Sequence, residues 1–389
     1  DDRESGADNM SKLSITLPPL APDYSGAASA FFDLGGIVVM HDASGCTGNY
    51  TGYDEPRWLN SRSAVYCSGL RRMDAVLGND DKFIQMALNA AESLDPTLIA
   101  FLGSPVPMII GTDLEGMAAE AEAASGIPSF GINSTGERYY HKGASEVFIK
   151  LIKRFAKPFE GERSMGVKKV NVLGMIPLDV GGEMNYHAVT KFITDSGYEL
   201  VADFAMGLSI AQIERCPSAD MNIVVSLSGL DTAEYMQQKY GIPFVCVMPL
   251  GSGQNLKDKI NGTEKLTAVH DGKKVLIIHE QVFSNSLREC AEEIGSSQIT
   301  VGSMLDLDSR LSRDGDLDLP DEKSVRNAVN SGEYSLVCGD PEIKKLIKRD
   351  DVDFLPLPHA AVSSKLHWNE YPCYIGGEME NIIRRIANP

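Results

Sequence analysis

The sequence lacks the run of about 18 to 20 uninterrupted apolar residues that a membrane-spanning helix requires. Basic residues are also scarce, because 36 Lys and Arg stand against 54 Asp and Glu, for a formal net charge of -18. Phosphate backbones and anionic bilayers repel such a chain. We therefore expect neither a nucleic-acid partner nor a membrane partner. The polar start does not match a signal peptide, which predicts a cytoplasmic protein.

Two nucleotide-binding signatures are also missing. Neither the P-loop pattern Gly-x-x-x-x-Gly-Lys-Ser/Thr nor a Gly-x-Gly-x-x-Gly turn after an apolar strand occurs. The segment Gly251–Leu256 comes nearest, and a lone Gly-Ser-Gly turn is more typical of an ordinary loop. We therefore do not expect this chain to bind a nucleotide by itself.

One pattern recurs along the chain: a short apolar run, a turn rich in Gly, Pro or Ser, and then an amphipathic stretch. This order predicts βα units around parallel sheets. Polar connectors near 160–169 and 257–273 divide the units into three groups. The sequence thus predicts an α/β protein with three doubly wound, Rossmann-like domains. Their predicted bounds are 10–165, 166–265 and 266–389, and the last domain ends with a helix.

The seven cysteines are odd in number and lack close pairs, which does not match a secreted disulfide framework. Four of them occupy positions where a small apolar side chain fits: Cys216, Cys246, Cys290 and Cys338. Cys46 and Cys67 differ, because each stands among glycines at the exit of a predicted strand, 21 residues apart. Glycine lets the backbone approach an inorganic ligand and donate N–H groups to its sulfur atoms.

Thiolates in such loops are ligands for iron. A four-iron cluster needs about four thiolates, so one chain is two ligands short. A two-fold symmetric dimer would supply the missing pair, because each copy contributes the same residues. From the residues alone, a pair of structural cysteines remains the alternative.

The order of an apolar strand, "GCTGNY", "CSGLRRMDAVLGNDD" and "SPVPMIIGTDLEG" resembles the nitrogenase component 1 superfamily. That superfamily includes molybdenum-iron protein subunits, cofactor-assembly scaffolds and dark-operative protochlorophyllide reductase. The resemblance implies that Gly45, Cys46 and Cys67 hold an electron-relay cluster. Ser104 stands where the family has its third cysteine, which implies a single [4Fe-4S] cluster shared by a homodimer. Ser104 is a further candidate contact to that cluster.

The resemblance also implies a function. Electrons would come from a separate ATP-hydrolysing iron–sulfur reductase, and a substrate bound between the domains would be reduced under anaerobic conditions. Ser226 and Ser228 stand near the family's cofactor-anchoring cysteine, so a second metallocofactor is left open and dinitrogen reduction is not expected. A heterodimer with a paralogue, a metallocluster assembly scaffold, and a cofactor-free small-ligand binding protein are the alternatives.

Candidate residues for the reduction follow the predicted strands, where α/β proteins place their sites. His279 and Glu280 are predicted to be catalytic, because neighbouring acid–base groups at a strand end could deliver protons to a substrate. The candidate substrate-pocket residues are Ser226, Ser228, His187, His359 and His367. For each histidine, an ordinary structural role is the alternative.

Overall fold

The structure, a computed structural model, describes residues 14–57, 63–161, 166–263 and 272–389. Its strands form three separate sheets, and neighbouring strands within each sheet run parallel. The predicted α/β class with three parallel sheets is therefore confirmed. The predicted domain bounds at 165 and 265 lie outside the described residues, so the division into domains stays a prediction.

The first sheet holds both candidate iron ligands. Its strands are β1 Ile37–Met40, β2 Ala64–Cys67, β3 Ile99–Leu102 and β4 Ser129–Ile132, in the order β2-β1-β3-β4. Its helices are α1 Asp23–Phe31, α2 Gly45–Asn49, α3 Arg72–Leu77, α4 Asp80–Leu94, α5 Pro105–Ile109, α6 Leu114–Ser125 and α7 Tyr140–Phe155. A π-helical turn, Tyr50–Asp54, follows α2 directly.

This sheet is covered on both faces, which explains why its strands are continuously apolar. In β1, Val38 and Met40 join a core that includes the buried residues of α1 and α7. Ile37 and Val39 join a second core with the buried residues of α4 and α6. Alternate residues of a strand point to opposite faces, so an all-apolar strand is what a doubly wound sheet requires.

The second sheet lies in the middle of the chain. Its strands are β5 Lys169–Met175, β6 Glu199–Ala205, β7 Met221–Val224 and β8 Phe244–Cys246, in the order β6-β5-β7-β8. Its helices are α8 Pro177–Val180, α9 Glu183–Asp195, α10 Ile210–Arg215, α11 Leu227–Tyr240 and α12 Gln254–Asn261.

The third sheet has five strands. They are β9 Lys274–Ile278, β10 Gln298–Ser303, β11 Leu317–Asp318, β12 Leu336–Gly339 and β13 Asp353–Pro356, in the order β11-β10-β9-β12-β13. Its helices are α13 Gln281–Glu292, α14 Glu322–Val329, α15 Ala360–Ser363 and α16 Gly377–Ala387. Among the helices of the described ranges, none is long and apolar enough to cross a bilayer.

Helices α1 and α7 cross at a distance that only glycine permits. A Cβ atom at Gly26 would lie 1.9 Å from the carbonyl oxygen of Tyr140, and one at Gly143 would lie 1.9 Å from that of Asp23. Both values are far below van der Waals contact, so the two backbones touch. Helix α1 is consequently fixed against α7 at its first turn, next to the candidate iron ligands.

Candidate functional site

Cys46, Cys67 and Ser104 meet at one edge of the first sheet. The parallel register aligns Met40, Cys67 and Leu102 at the carboxyl ends of β1, β2 and β3. Cys67 is the last residue of β2, and Ser104 follows the end of β3 by two residues. Cys46 lies in α2, beyond the end of β1. The structure therefore brings these three predicted residues together.

Two hydroxyl groups lie beside the Cys46 thiol. They belong to Tyr24, from the first turn of α1, and to Ser104. The Ser104 hydroxyl donates to the carbonyl oxygen of His41 at 2.9 Å. Burial of the half-buried thiol raises the pKa of Cys46, and the neighbouring Tyr24 hydroxyl opposes that rise.

The Cys67 thiol is held by backbone groups. The Gly69 N–H donates to Sγ at 3.3 Å, and the thiol donates to the Asp42 carbonyl oxygen at 3.3 Å. Gly69 has a φ of +66°, a conformation that favours glycine, and its α-carbon faces open space. Backbone N–H groups of this kind are common hydrogen-bond donors to the sulfur ligands of iron–sulfur clusters.

The loop that carries Cys46 is fixed by polar side chains. The Asp42 carboxylate accepts from the backbone N–H groups of Ser44 at 3.0 Å and Thr47 at 3.1 Å. Arg71 donates to the Ala43 carbonyl oxygen at 3.4 Å. These contacts hold the loop from both sides.

The donor set at this edge fits one half of an iron–sulfur cluster site. Both thiols are half-buried, and Gly45 and Gly48 have no neighbouring atom within 4 Å of an added Cβ, so the backbone beside Cys46 is open. Among the described residues, no group of three or more His, Cys, Asp or Glu side chains could hold a metal ion. One chain thus offers two of four thiolates, which fits a cluster shared by two copies.

Two short helices that follow this edge expose large apolar side chains. We call these residues of α3 and of α5 with its C-cap the apolar rim: Met73, Val76, Leu77, Val106, Ile109 and Ile110. Ile109 is 83% exposed and Leu77 is 70% exposed. Adjacent exposed side chains of this kind mark interaction surfaces.

Five other predicted residues meet in the interior between the second and third sheets: Ser226, Ser228, His279, Glu280 and His359. Glu280 caps α13 by accepting from the Phe283 N–H at 2.8 Å, and it also accepts from the Leu227 N–H of α11 at 2.9 Å. The rings of His279 and His359 are 4.5 Å apart, edge to face. Ser226 and Ser228 each donate to one carboxylate oxygen of Asp179 at 2.7 Å. All of these side chains are at most 5% exposed.

Asp179 and Tyr140 complete this group, and neither was predicted from the sequence. The Tyr140 hydroxyl donates to the second oxygen of Asp179. Asp179 follows β5 closely, so it carries the same strand-end signal that identified His279 and Glu280. Tyr140 carries no such signal, because it comes from α7 of the first sheet.

Burial controls the protonation of this interior group. It raises the pKa of Glu280 to about 8, with a contribution from the charge of Asp179. It also raises the pKa of Asp179 to about 6, against the hydrogen bonds from Tyr140, Ser228 and Ser226. Burial lowers the pKa of His279 to about 4. Near neutral pH the group therefore holds a proton on Glu280 while His279 is neutral.

This proton affinity predicts a pH-dependent stability. Both carboxyl groups bind a proton more tightly in the folded than in the unfolded chain, where their pKa values are 4.5 and 3.8. The contribution of these carboxyl groups to the free energy of unfolding should therefore fall as pH rises from about 4.5 through about 8. His279 binds its proton less tightly in the folded chain, so its contribution has the opposite sign below about pH 6.5. Asp179→Asn should make this fall smaller, because Glu280 loses a like-charged neighbour and position 179 no longer titrates.

Urea unfolding at pH values from about 5 to about 8 measures this effect. Asp195→Asn is the control, since Asp195 is an exposed carboxylate paired with Lys191 and should keep the wild-type slope. Equal pH slopes for Asp179→Asn and wild type would show that the buried pair does not titrate as described.

Two predicted pocket residues lie apart from this group. His187 is exposed on α9, with its ring 5.0 Å from that of Tyr186. His367 is half-buried and pairs with Glu370 at 3.0 Å and Glu342 at 3.5 Å. Neither contacts the interior group, so their assignment to a substrate pocket stays a prediction with no geometric support.

An open cleft lies beside the interior group. It has a volume of about 450 Å³, and Leu227 and His141 are part of its lining. Its charged side chains come from the segments that build all three sheets: Lys142, Asp231, Asp306, Asp308, Arg310 and Asp318. Leu227 also donates its N–H to Glu280, so the buried proton lies directly behind the cleft wall. The cleft is the space in which a small molecule could approach that proton.

Comparison with known proteins establishes the family. Residues 22–257 match the model of the nitrogenase component 1 type oxidoreductases, which is more than half of the chain. The chain therefore belongs to this family. The solved structure titled "Nitrogenase Cp1 at pH 6.5" superimposes with a TM-score of 0.72, covering 96% of this chain and 92% of that one at 13% identity. At that identity the likeness shows the fold alone.

Relatives with different roles are similar to this chain. The nitrogenase iron-molybdenum cofactor biosynthesis protein NifE of Clostridium pasteurianum is 26% identical over 270 residues, covering 64% of this chain and 55% of that protein. A light-independent protochlorophyllide reductase polypeptide of Halorhodospira halophila is 23% identical over 284 residues, covering 62% and 53%. The nitrogenase molybdenum-iron protein alpha chain of Methanosarcina barkeri is 23% identical over 244 residues, covering 60% and 43%. The chain spans about half the length of these relatives.

Proposed function

We propose that this protein is the electron-accepting component of a two-component reductase. Two copies would hold one [4Fe-4S] cluster through Cys46 and Cys67 of each. Electrons would come from a separate ATP-hydrolysing iron–sulfur reductase, and a substrate would be reduced between the domains. The observation that carries this proposal is the meeting of two half-buried thiols at one sheet edge, in a chain of the nitrogenase component 1 type.

The apolar rim supports the shared cluster. It flanks the thiols, and a second copy that covers it would bring two further thiols to the same edge. A two-fold axis beside the apolar rim would let the contact between the two copies do two things. It would complete the set of four thiolates, and it would remove the exposed apolar side chains from water.

Each part of the chain has a task in this proposal. When bound, the cluster would accept and release one electron at a time. The Gly69 N–H would donate a hydrogen bond to the ligating sulfur of Cys67, and Asp42 would keep the Cys46 loop in place. At the cleft, the carboxyl of Glu280 would hold a proton behind Leu227 until reduction of a bound molecule draws it out. Such a transfer requires Leu227 to move, because Glu280 is only 2% exposed.

A second candidate is a metallocluster assembly scaffold. The similarity to NifE favours it, since that relative is named as a cofactor biosynthesis protein. A scaffold would bind a cluster at the same thiols but would pass the cluster on rather than its electrons. A small-ligand binding protein without a cluster is the third candidate, and the cleft alone would support it.

Anaerobic purification separates these candidates. A reductase component should be a brown dimer with about four iron atoms, and its cluster should be reduced and reoxidised repeatedly without loss of iron. A scaffold should instead lose its iron to an iron-free acceptor protein. A colourless protein with no iron would overturn both assignments and leave the ligand-binding candidate.

A further inference from the structure

A pocket lies between the edge strand β2 and helix α4 of the first sheet. Its volume is about 260 Å³. On the sheet, Val39 and Tyr66 line it side by side, because they are partners in the parallel register. On α4, Ala87 and Ala90 line it, and their methyl groups are too small to fill the distance between the helix and the strands. The small side chains thus leave a space that can hold a molecule.

Aromatic and sulfur-containing side chains form much of the pocket wall. Tyr66 and Met86 are 43% and 48% exposed, so they mark its mouth. Phe83 is 1% exposed and lines its inner part. Aromatic rings and polarizable thioethers favour contact with another aromatic ring. Cys67, a candidate iron ligand, also belongs to the wall, so a molecule in the pocket would lie next to the proposed cluster site.

The pocket differs from the cleft in its charge. The cleft is lined by aspartate, lysine and arginine side chains, whereas none of the described residues around the pocket is charged. An ion that entered the pocket would lose its water without gaining a partner of opposite charge, which costs free energy. The formal net charge of the chain, -18, also repels anions. The pocket therefore disfavours ionic ligands, and anions most of all.

Asn89 is a polar group that can orient a ligand in the pocket. The hydroxyl of Ser68 is less available, because it accepts from the Asp42 N–H at 3.1 Å and donates to the Asp42 carbonyl oxygen at 3.2 Å. The side-chain oxygen of Asn89 accepts from Gln85 at 2.9 Å. The amide nitrogen of Asn89 has two protons to donate, so it can serve an oxygen atom of a ligand.

We propose that this pocket binds a small, uncharged molecule with one aromatic ring and one oxygen acceptor, of which a phenol is the simplest example. An apolar cavity of about 150 Å³ takes up benzene. The larger volume here leaves room for a ring and a short substituent. The ring would pack against Tyr66 and Phe83, and the Asn89 amide would donate to the oxygen. Binding requires no iron, so this inference goes beyond the proposed function and stands apart from it.

The test is a fluorine NMR titration of the full-length protein with para-fluorophenol. We expect the wild type to bind it and to reject para-fluorobenzoate, which has the same ring but carries a charge. Ala90→Leu fills the pocket and should weaken the binding of para-fluorophenol by at least about tenfold, because the ring loses its space. Ala124→Leu is the matched control, since Ala124 is exposed on α6, away from the pocket, and this variant should keep the wild-type affinity.

Asn89→Ala tests the hydrogen bond without filling the pocket. It should weaken the binding of para-fluorophenol and leave the binding of fluorobenzene unchanged, because fluorobenzene has no oxygen to accept the amide proton. This variant also decides the case if Ala90→Leu does not fold.

The proposal is wrong if the wild type does not bind para-fluorophenol or prefers para-fluorobenzoate. Wild-type affinity in Asn89→Ala, or in a folded Ala90→Leu, would place the ligand elsewhere and overturn it as well. If Ala90→Leu turned a dimer into monomers in sedimentation velocity, the pocket would hold a side chain of the second copy, which also contradicts the proposal. A protein that binds para-fluorophenol in this pocket but holds no iron would support this inference while overturning the proposed function.

Discussion

Cys46→Ser and Cys67→Ser are each expected to lower the iron content from about four atoms per dimer to less than about one. Each substitution removes two of the four thiolates at once, since the two-fold axis repeats it in both copies. A serine hydroxyl keeps a proton near neutral pH and is a poor ligand for iron. Iron analysis and the visible absorbance of anaerobic protein measure the loss.

The matched control is Cys373→Ser. Cys373 is half-buried like the two candidate ligands, and its thiol donates to the Ile375 carbonyl oxygen at 3.2 Å, which a serine hydroxyl can also do. This variant should keep its iron. If all three variants bound iron equally, the assignment of Cys46 and Cys67 as ligands would be wrong.

Ile109→Asp and Leu77→Asp should convert the dimer to monomers and remove the iron with it. Both side chains belong to the apolar rim, and a carboxylate there would be buried without a partner in the proposed contact. An unpaired carboxylate that costs about 2 kcal/mol in each copy would weaken association by about a thousandfold. Sedimentation velocity at several protein concentrations measures the change.

Ile294→Asp is the matched control for this experiment. Ile294 is 54% exposed, and it lies in the part of the chain that builds the third sheet, between α13 and β10. It should remain a dimer with iron. A rim variant that stays dimeric and keeps its iron would show that the second copy binds elsewhere.

The fold could be predicted from the sequence because its strands are buried on both faces. A strand such as Ile37–Met40 needs apolar residues at every position, so it stands out from the polar turns around it. The meeting of Cys46 and Cys67 at one edge of the first sheet was also predictable. The carboxyl ends of neighbouring parallel strands lie at the same edge, and glycines mark the turns that follow them. These signals are local in the chain.

What the sequence did not reveal depends on contacts between distant segments. Tyr24 precedes Cys46 by 22 residues and lies on a helix that is buried along its whole length, so no periodicity marks it. The apolar residues of α3 and α5 would be assigned to a core from their type alone, and only the structure shows them exposed. The exposed position of His187 could have been inferred, because Asn185, Val189 and Ile193 occupy the opposite, buried face of α9.

The direct contact of α1 with α7 would have a consequence for electron transfer in the proposed reductase. Transfer is fast when the surroundings of a redox centre rearrange little between its two charge states. Gly26 and Gly143 leave no gap into which α1 could shift, so the side chains that α1 carries beside Cys46 would keep their positions when the charge changes. The tight helix crossing would thus lower the reorganisation energy of a cluster bound at Cys46, because part of its surroundings would already be in place before the electron arrives.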